Sequence, residues 1–430
     1  MLQVSYIKEN FLSVISNLNK RNVDFTKELK EITELDDSRK KIQSEYDSIL
    51  NESNNIAKEI GILYKSGKSN EAEELKSKSI SLKPKAKELQ EKLNNITEEL
   101  KIKLCSIPNI PNELVVKGKN EEDNEIIFST EISKGNKKNI PHWDLSSIYN
   151  IIDFDLGNKI SGSGFPVYKN KGAKLQRSLI NFFLDKNISQ GYNEIQPPLL
   201  VNEDSGFGTG QLPDKEGQMY HIQNENLYLI PTAEVPITNI YRNSILKIHE
   251  LPIKLTGYTP CFRREAGSYG SDVRGLNRLH QFDKVEIVRI ECPTKSYIVL
   301  DEMVEHVKSI LIELELPFRI LRLCGGDLGF TSAITYDFEV FSKAQNKWLE
   351  VSSVSNFESY QSNRLKLRID YGDKTKKLAH TLNGSALALP RIIAALIENN
   401  QTDKGITIPK ALHNYTGFKI IDWLLLNWER

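Results

Sequence analysis

The stretch TPCFRREAGSYGSDVRGLNRLHQFDKVEI, Thr259 to Ile287, carries the densest chemistry in this 430-residue chain. It reads as a strand, a glycine-bearing polar loop and a returning strand. Arg263, Arg264 and Glu265 end the first strand, and Arg274 and Arg278 stand at the far side of the loop. On the returning strand Phe282, Lys284 and Glu286 alternate, so they share one face. Arginines, an aromatic ring and carboxylates on a sheet surface suit a nucleoside triphosphate. Arginine pairs bidentately with phosphate oxygens. A phenyl face stacks a purine, and a carboxylate accepts from an exocyclic amine. A salt-bridged surface hairpin would have the same composition, because surface ion pairs are common and contribute little. These residues alone leave both readings open.

Outward from this hairpin, the texture from Gly164 onward is that of a globular domain. Strand-like pieces lie at Leu227–Ile230, Val285–Ile290, Phe338–Phe341 and Trp348–Val351, and amphipathic stretches at Ala173–Gln190, Lys295–Leu316 and Pro390–Asn400. Strands joined by short loops, with helices set aside, predict an α+β fold on an antiparallel sheet. Gly206–Gly210 is glycine-rich but no phosphate-cradling helix is expected after it, so it reads as a flexible loop rather than a P-loop. Residues 105–165 read as a connector.

The first hundred residues differ in kind. From Phe25 to Leu104 there are 16 Lys/Arg, 16 Asp/Glu, two glycines and one proline. Ile32, Leu35, Ile42, Tyr46, Ile49, Ile56, Ile60 and Leu63 keep a 3-4 alternation, with Arg39 and Ser53 in its gaps. Leu75, Leu82, Ala86, Leu89, Leu93, Ile96 and Leu100 keep another, with Ser79 in its gap. Such a repeat predicts a coiled-coil seam. Tyr64–Asn70 suits a turn, so the two runs should fold back as an antiparallel hairpin over about residues 27–104. A dimerisation coiled coil is the competing reading. Pro84 should kink the second run unless the helix restarts there.

Composition excludes several classes. Lys plus Arg and Asp plus Glu both number 57, so any nucleic-acid partner must meet a local patch. Lys76, Lys78, Lys83, Lys85 and Lys87 form one such cluster, although a solvated helix flank accounts for it equally well. No run of about eighteen apolar residues exists, so no membrane span is expected. MLQVSYIKENF lacks a secretory n- and h-region. Cys105, Cys261, Cys292 and Cys324 are widely spaced, which argues against a disulfide framework and for a cytoplasmic location.

The segment FRREAG followed by RGLNRLHQFDKVE resembles motif 2 of class II aminoacyl-tRNA synthetases, in its seryl-tRNA synthetase form. KGAKLQRSLINFFLDKNISQGYNEIQPPLLV (171–201) resembles motif 1, and TLNGSALALPR (from Thr381 to Arg391, motif running to about 397) resembles motif 3. LYLIPTAEVPITN resembles the serine-binding loop, and LEVSSVSNFESYQSNR an ATP- and metal-facing strand. The resemblance implies an N-terminal tRNA-binding domain at 1–110, a connector at 111–165 and a catalytic domain at 166–430. It implies that the hairpin grips the cognate tRNA.

For ATP, it implies Arg263, Arg264, Glu265, Leu279, Phe282, Glu350, Val351, Ser352, Ser353 and Arg391. Arg263, Arg278 and Arg391 would be catalytic, and Glu350 with Ser353 would take Mg²⁺. For L-serine, it implies Thr232, Ala233, Glu234, Glu286, Asn383 and Ser385. The expected reaction joins serine to tRNA(Ser) through seryl-adenylate, in a homodimer and with no zinc; the sequence does not decide whether tRNA(Sec) is charged too. Arg391 follows Pro390, which suits a first helical turn where backbone N–H groups favour an anion. A second class II synthetase, a carrier-charging ligase and a coiled-coil scaffold with an inactive ligase domain are the competing functions.

Overall fold

In the computed structural model, which describes residues 1–132, 139–214, 217–265 and 274–422, the heptad runs form helices α1 (Thr26–Lys65) and α2 (Ser69–Ser106). The pairs Tyr64–Glu73, Glu52–Lys78 and Glu31–Lys103 mark an antiparallel hairpin, at 2.7, 2.8 and 2.8 Å. At ~1.5 Å per residue the arm is roughly 60 Å long. Every seam residue named above is buried or half-buried, with Ile32, Ile49, Ile56, Leu89, Leu93 and Leu100 fully so. Arg39, Ser53 and Ser79 in the gaps are half-buried. The seam also buries Asp36, which is only 3% exposed. Burial pushes its carboxyl up, but hydrogen bonds from Lys8, Arg39 and Lys40 outweigh that and hold it well below the usual range.

The helix runs unbroken through Pro84. Proline there removes the donor for the Ile80 carbonyl, and Ile80 is exposed, so water can take the vacant acceptor. Residues 1–19 and 23–108 make up this unit; residues 20–22 and the chain from Asn109 onward make up a second one.

The second unit is built on an eight-stranded sheet. Its strands are β1 (Glu125–Ser129), β2 (Asn193–Glu194), β3 (Ile253–Phe262), β4 (Gln281–Glu291), β5 (Phe318–Arg322), β6 (Ile334–Ser342), β7 (Lys347–Glu358) and β8 (His380–Ala388). The spatial order is β1-β5-β6-β7-β8-β4-β3-β2. Neighbours are antiparallel except the short parallel pair β2–β3. The stretch 111–165 supplies the edge strand β1 and two short helices, His142–Ile148 and Phe154–Ser161.

Helices α3 (Asn170–Ser189), α4 (Ser296–Glu313) and α5 (Leu389–Asn399) cover one face of the sheet. Their apolar stripes bury Leu175, Phe182, Phe183, Met303, Val307 and Ile393 against Val285, Ile287 and Phe338. Strand alternation therefore turns Lys284, Glu286 and Val288 to the opposite face, where Val288 packs with Ala233, Ile237 and Leu255.

The glycine-rich segment expected as a flexible loop is instead a helix, Glu203–Thr209. Asn202 caps it by accepting the Ser205 N–H at 3.0 Å, and Gly210 ends it at φ +97°. Its glycines serve close packing: a Cβ at Gly206 would lie 2.8 Å from Leu212, and one at Gly208 would lie 2.6 Å from Leu365.

Candidate active site

The β3–β4 pairing sets Phe282 opposite Cys261 and continues one residue past the strand, where the Arg263 N–H donates to the His280 carbonyl at 2.9 Å. That register brings the Arg263 guanidinium over the Phe282 ring, 5.2 Å from its centroid. Its Nε donates to the Pro231 carbonyl at 3.3 Å. Arg278 Nε donates to the Glu265 carboxylate across the base of the loop. Arg264 is exposed, with its backbone N–H on the Gln218 carbonyl at 2.8 Å. Leu279 is buried in the core, so only its backbone can face a nucleotide. The loop residues 266–273, with Gly267 and Gly270, lie outside the described residues.

Arg391 stands in the first turn of α5, which has proline at its start. Its Nε donates to the Asn277 carbonyl at 3.0 Å and its Nη1 to the Glu350 carbonyl at 2.7 Å. Its Nη1 also lies 3.6 Å from Glu350 Oε2. One helix start thus joins the motif 2 stem to β7.

On β7 a bulge changes the spacing. Ser352 faces Phe338 and Glu350 faces Glu339, leaving Val351 unmatched. The extra residue puts Glu350 and Ser353 on one side, where Ser353 Oγ donates to Glu350 Oε1 at 3.3 Å. Val351 enters the core, and Ser352 Oγ donates to the Ser385 carbonyl at 2.5 Å, so these two offer backbone rather than side chain to a ligand. Asp337 pairs with Ser353 across the strands. Its Oδ1 is buried with no hydrogen-bond partner among the described residues. Burial, then the Glu350 charge, pushes its carboxyl well above the ordinary range. The Glu350 carboxylate and the Ser353 hydroxyl are hard oxygen donors of the kind Mg²⁺ takes, one or two carboxylates with the rest of the shell from water and substrate.

The second half of the site is a cluster of buried polar side chains. Glu286 and Ser385 are cross-strand partners on β4 and β8, and Asn383 stands opposite Val288. Thr232 Oγ1 donates to Glu286 Oε2 at 3.1 Å, and Lys284 Nζ donates to Thr232 Oγ1 at 2.9 Å. Lys284 and Glu286 form an ion pair at 2.6 Å. Glu234 opens a short helix, Glu234–Asn239, and is 7% exposed. Gln361 Nε2 donates to Glu234 Oε1 at 2.6 Å, while Gln361 Oε1 accepts from Thr381 at 2.7 Å. Burial, reinforced by the Glu286 charge, pushes the Glu234 carboxyl up to about 7. Ala233 is wholly buried among apolar side chains and gives the pocket shape only.

Two polar members of this pocket fall outside the residues assigned from sequence. Lys284 was readable only as a neighbour of Glu286 on one strand face. Gln361 comes from the helix Ser359–Leu365, and nothing local in its sequence marks it. The structure brings Thr232, Glu234, Glu286, Asn383 and Ser385 together, joins Arg391 to Glu350 and to the loop stem at Asn277, and leaves Arg264 exposed.

Residues 1–111 match the seryl-tRNA synthetase N-terminal domain, and residues 219–400 match the tRNA synthetase class II core domain (G, H, P, S and T). The chain is 48% identical over 390 residues to a serine–tRNA ligase of Salinibacter ruber, covering 90% of this chain and 91% of that one. The chain belongs to the seryl-tRNA synthetase family. A serine–tRNA ligase of Mesoplasma florum is 42% identical, with 96% and 98% covered. The crystal structure of the Pyrococcus horikoshii seryl-tRNA synthetase complexed with ATP aligns at a TM-score of 0.89 and 34% identity, covering 99% of this chain and all of that one. The class II core match spans β3, β4, β7, β8 and α5, the elements on which both residue groups stand.

Proposed function

We infer that this chain, as an ATP-dependent serine–tRNA ligase, activates L-serine at the Thr232–Glu286 pocket and reacts it with ATP at the Arg263–Arg391 group. What supports this reading is a buried, acid-lined cluster on β4 and β8 with arginines at the end of β3, in the loop before β4 and at the start of α5. Serine brings an ammonium and a hydroxyl. With Lys284 already paired to Glu286, the ammonium is left to Glu234. Thr232, Asn383 and Ser385 supply polar partners for the hydroxyl and carboxylate. A site that hydrogen-bonds a hydroxyl rejects alanine by leaving its own groups unpaired.

The serine carboxylate is itself a nucleophile, so no general base is required. Attack on the α-phosphorus forms the carboxyl–phosphate bond of seryl-adenylate and releases pyrophosphate. The protein's part is positioning and charge neutralisation. On this reading Arg263 stabilises negative charge at the α-phosphate, with Phe282 as platform for adenine and Glu265 for its amine. On the same reading Arg278 and Arg391 hold the distal phosphates. Mg²⁺ held by Glu350 and Ser353 would supply further neutralisation of the triphosphate. Transfer of serine to the 3′ end of tRNA(Ser) completes the cycle, with the α1–α2 hairpin of the 1–110 domain as the tRNA-gripping arm. A homodimer built through 171–201 and a cytoplasmic location belong to the same reading. Among the described residues no helix is long and apolar enough to cross a membrane.

The pocket makes a pH prediction. Glu234 titrates near 7 because burial favours its neutral form. The serine ammonium needs the carboxylate, so serine binding weakens as pH falls through that value. The serine KM in ATP–pyrophosphate exchange should rise about tenfold from pH 8 to pH 6, following the ionised fraction of a group of that pKa. Glu234→Gln should hold KM high and nearly flat across the range. A serine KM independent of pH in the unmodified protein would remove Glu234 from the ammonium site.

A further inference from the structure

We propose that His142, in a segment outside the three motifs, is a positioning residue that sets the two distal-phosphate arginines through the stem of the motif 2 loop. The inference rests on the assignment of Arg278 and Arg391 to ATP. His142 is fully buried at the start of the helix His142–Ile148. Its Nε2 accepts the Leu276 N–H at 2.7 Å. Its other ring nitrogen, Nδ1, lies 2.7 Å from Glu398 Oε1 on α5. Because Nε2 accepts from a backbone N–H, the ring proton is assigned to Nδ1 and donates to Glu398. Glu398 is itself fixed by the His142 backbone N–H at 2.9 Å, by Gln345 at 3.1 Å and by the Ser342 hydroxyl.

The next residues carry the effect to the phosphates. Asn277 Nδ2 donates to Gln345 at 2.8 Å, and the Asn277 carbonyl accepts Arg391 Nε at 3.0 Å. Arg278 follows directly and pairs with Glu265. The neighbouring Trp143 ring lies 4.7 Å from the Arg274 guanidinium. A buried imidazole therefore pins the loop stem at the one backbone amide that precedes both arginine contacts. Gly275 is part of the same fit. Its φ is +69°, and a Cβ there would lie 2.1 Å from His142 Nε2, so only glycine lets the stem reach the ring.

The test uses the full-length protein in serine-dependent ATP–pyrophosphate exchange, with melting temperature in parallel. Gly275→Ala, at a half-exposed loop position, strains a positive-φ backbone and should lower the melting temperature modestly while the protein stays folded. It should raise the ATP KM or lower kcat on order of 10- to 100-fold, the range for a roughly 1 Å displacement of positioned groups. The serine KM should stay constant. His142→Ala should shift the same parameter, and the double variant should cost no more than the worse single one, because both break one contact. His142→Gln offers an amide oxygen to Leu276 and an NH₂ to Glu398, and should recover most of the loss. Unchanged ATP parameters in Gly275→Ala, ATP parameters in His142→Gln as impaired as those in Gly275→Ala, or a serine KM rising in step with that for ATP, would overturn the proposal. These two variants decide it even where His142→Ala does not fold. Arg391→Ala, run alongside, separates the two levels. If it too leaves the ATP parameters unchanged, the ATP assignment itself is wrong.

Discussion

Arg263→Ala lowers serine-dependent ATP–pyrophosphate exchange by on the order of 10³-fold, the upper range for removing one preorganised donor from a developing charge. The reason is local. Arg263 is held by backbone register, its N–H on the His280 carbonyl at 2.9 Å, with its guanidinium over Phe282 and one donor spent on the Pro231 carbonyl. Its remaining N–H groups are available for an α-phosphate oxygen. Truncation removes that charge without opening the core, since the residue is only half-buried. The melting temperature should therefore stay within the range of ordinary surface changes. Full exchange activity in the variant would take Arg263 out of the reaction.

Deletion of the arm from Lys30 to Leu100 leaves serine activation intact and lowers tRNA charging by about a hundredfold or more, the avidity lost with a second attachment point. The two cut ends are adjacent, because Glu31 and Lys103 pair across the hairpin at 2.8 Å, so the stem can close over a short linker. The arm's core is its own seam, Ile32 to Leu100, and the catalytic strands form a separate unit. The variant is measured twice, by exchange without tRNA and by aminoacylation with tRNA. Equal losses in both assays would mean that the arm supports the fold. No loss in either would give it another purpose.

Much of this architecture is legible in the residues because it follows from period. The 3-4 spacing from Ile32 to Leu100 marks a seam that the structure buries, with Arg39, Ser53 and Ser79 as its weak points. Alternation along Phe282, Lys284 and Glu286 likewise places the polar face of β4. What escapes the sequence is set by partners far along the chain. Asp36 enters the seam because Lys8, Arg39 and Lys40 surround it, and Lys8 lies 28 residues away. Gln361 and His142 act through contacts 127 and 134 residues distant. Gly206 and Gly208 look like a flexible loop because glycine's use for backbone freedom and its use for close packing are indistinguishable without the neighbours Leu212 and Leu365. The bulge at Val351 is equally hidden, yet it is what lets Glu350 and Ser353 share a side.

On this reading the buried Thr232–Glu286 cluster takes serine and passes it to ATP. The most direct test is amino-acid-dependent ATP–pyrophosphate exchange on the purified protein with Mg²⁺, screened over all the standard amino acids. Exchange with serine, and background rates with alanine and threonine, is the predicted result. Exchange driven by another amino acid, or none with any of them from folded protein that binds ATP, would contradict it.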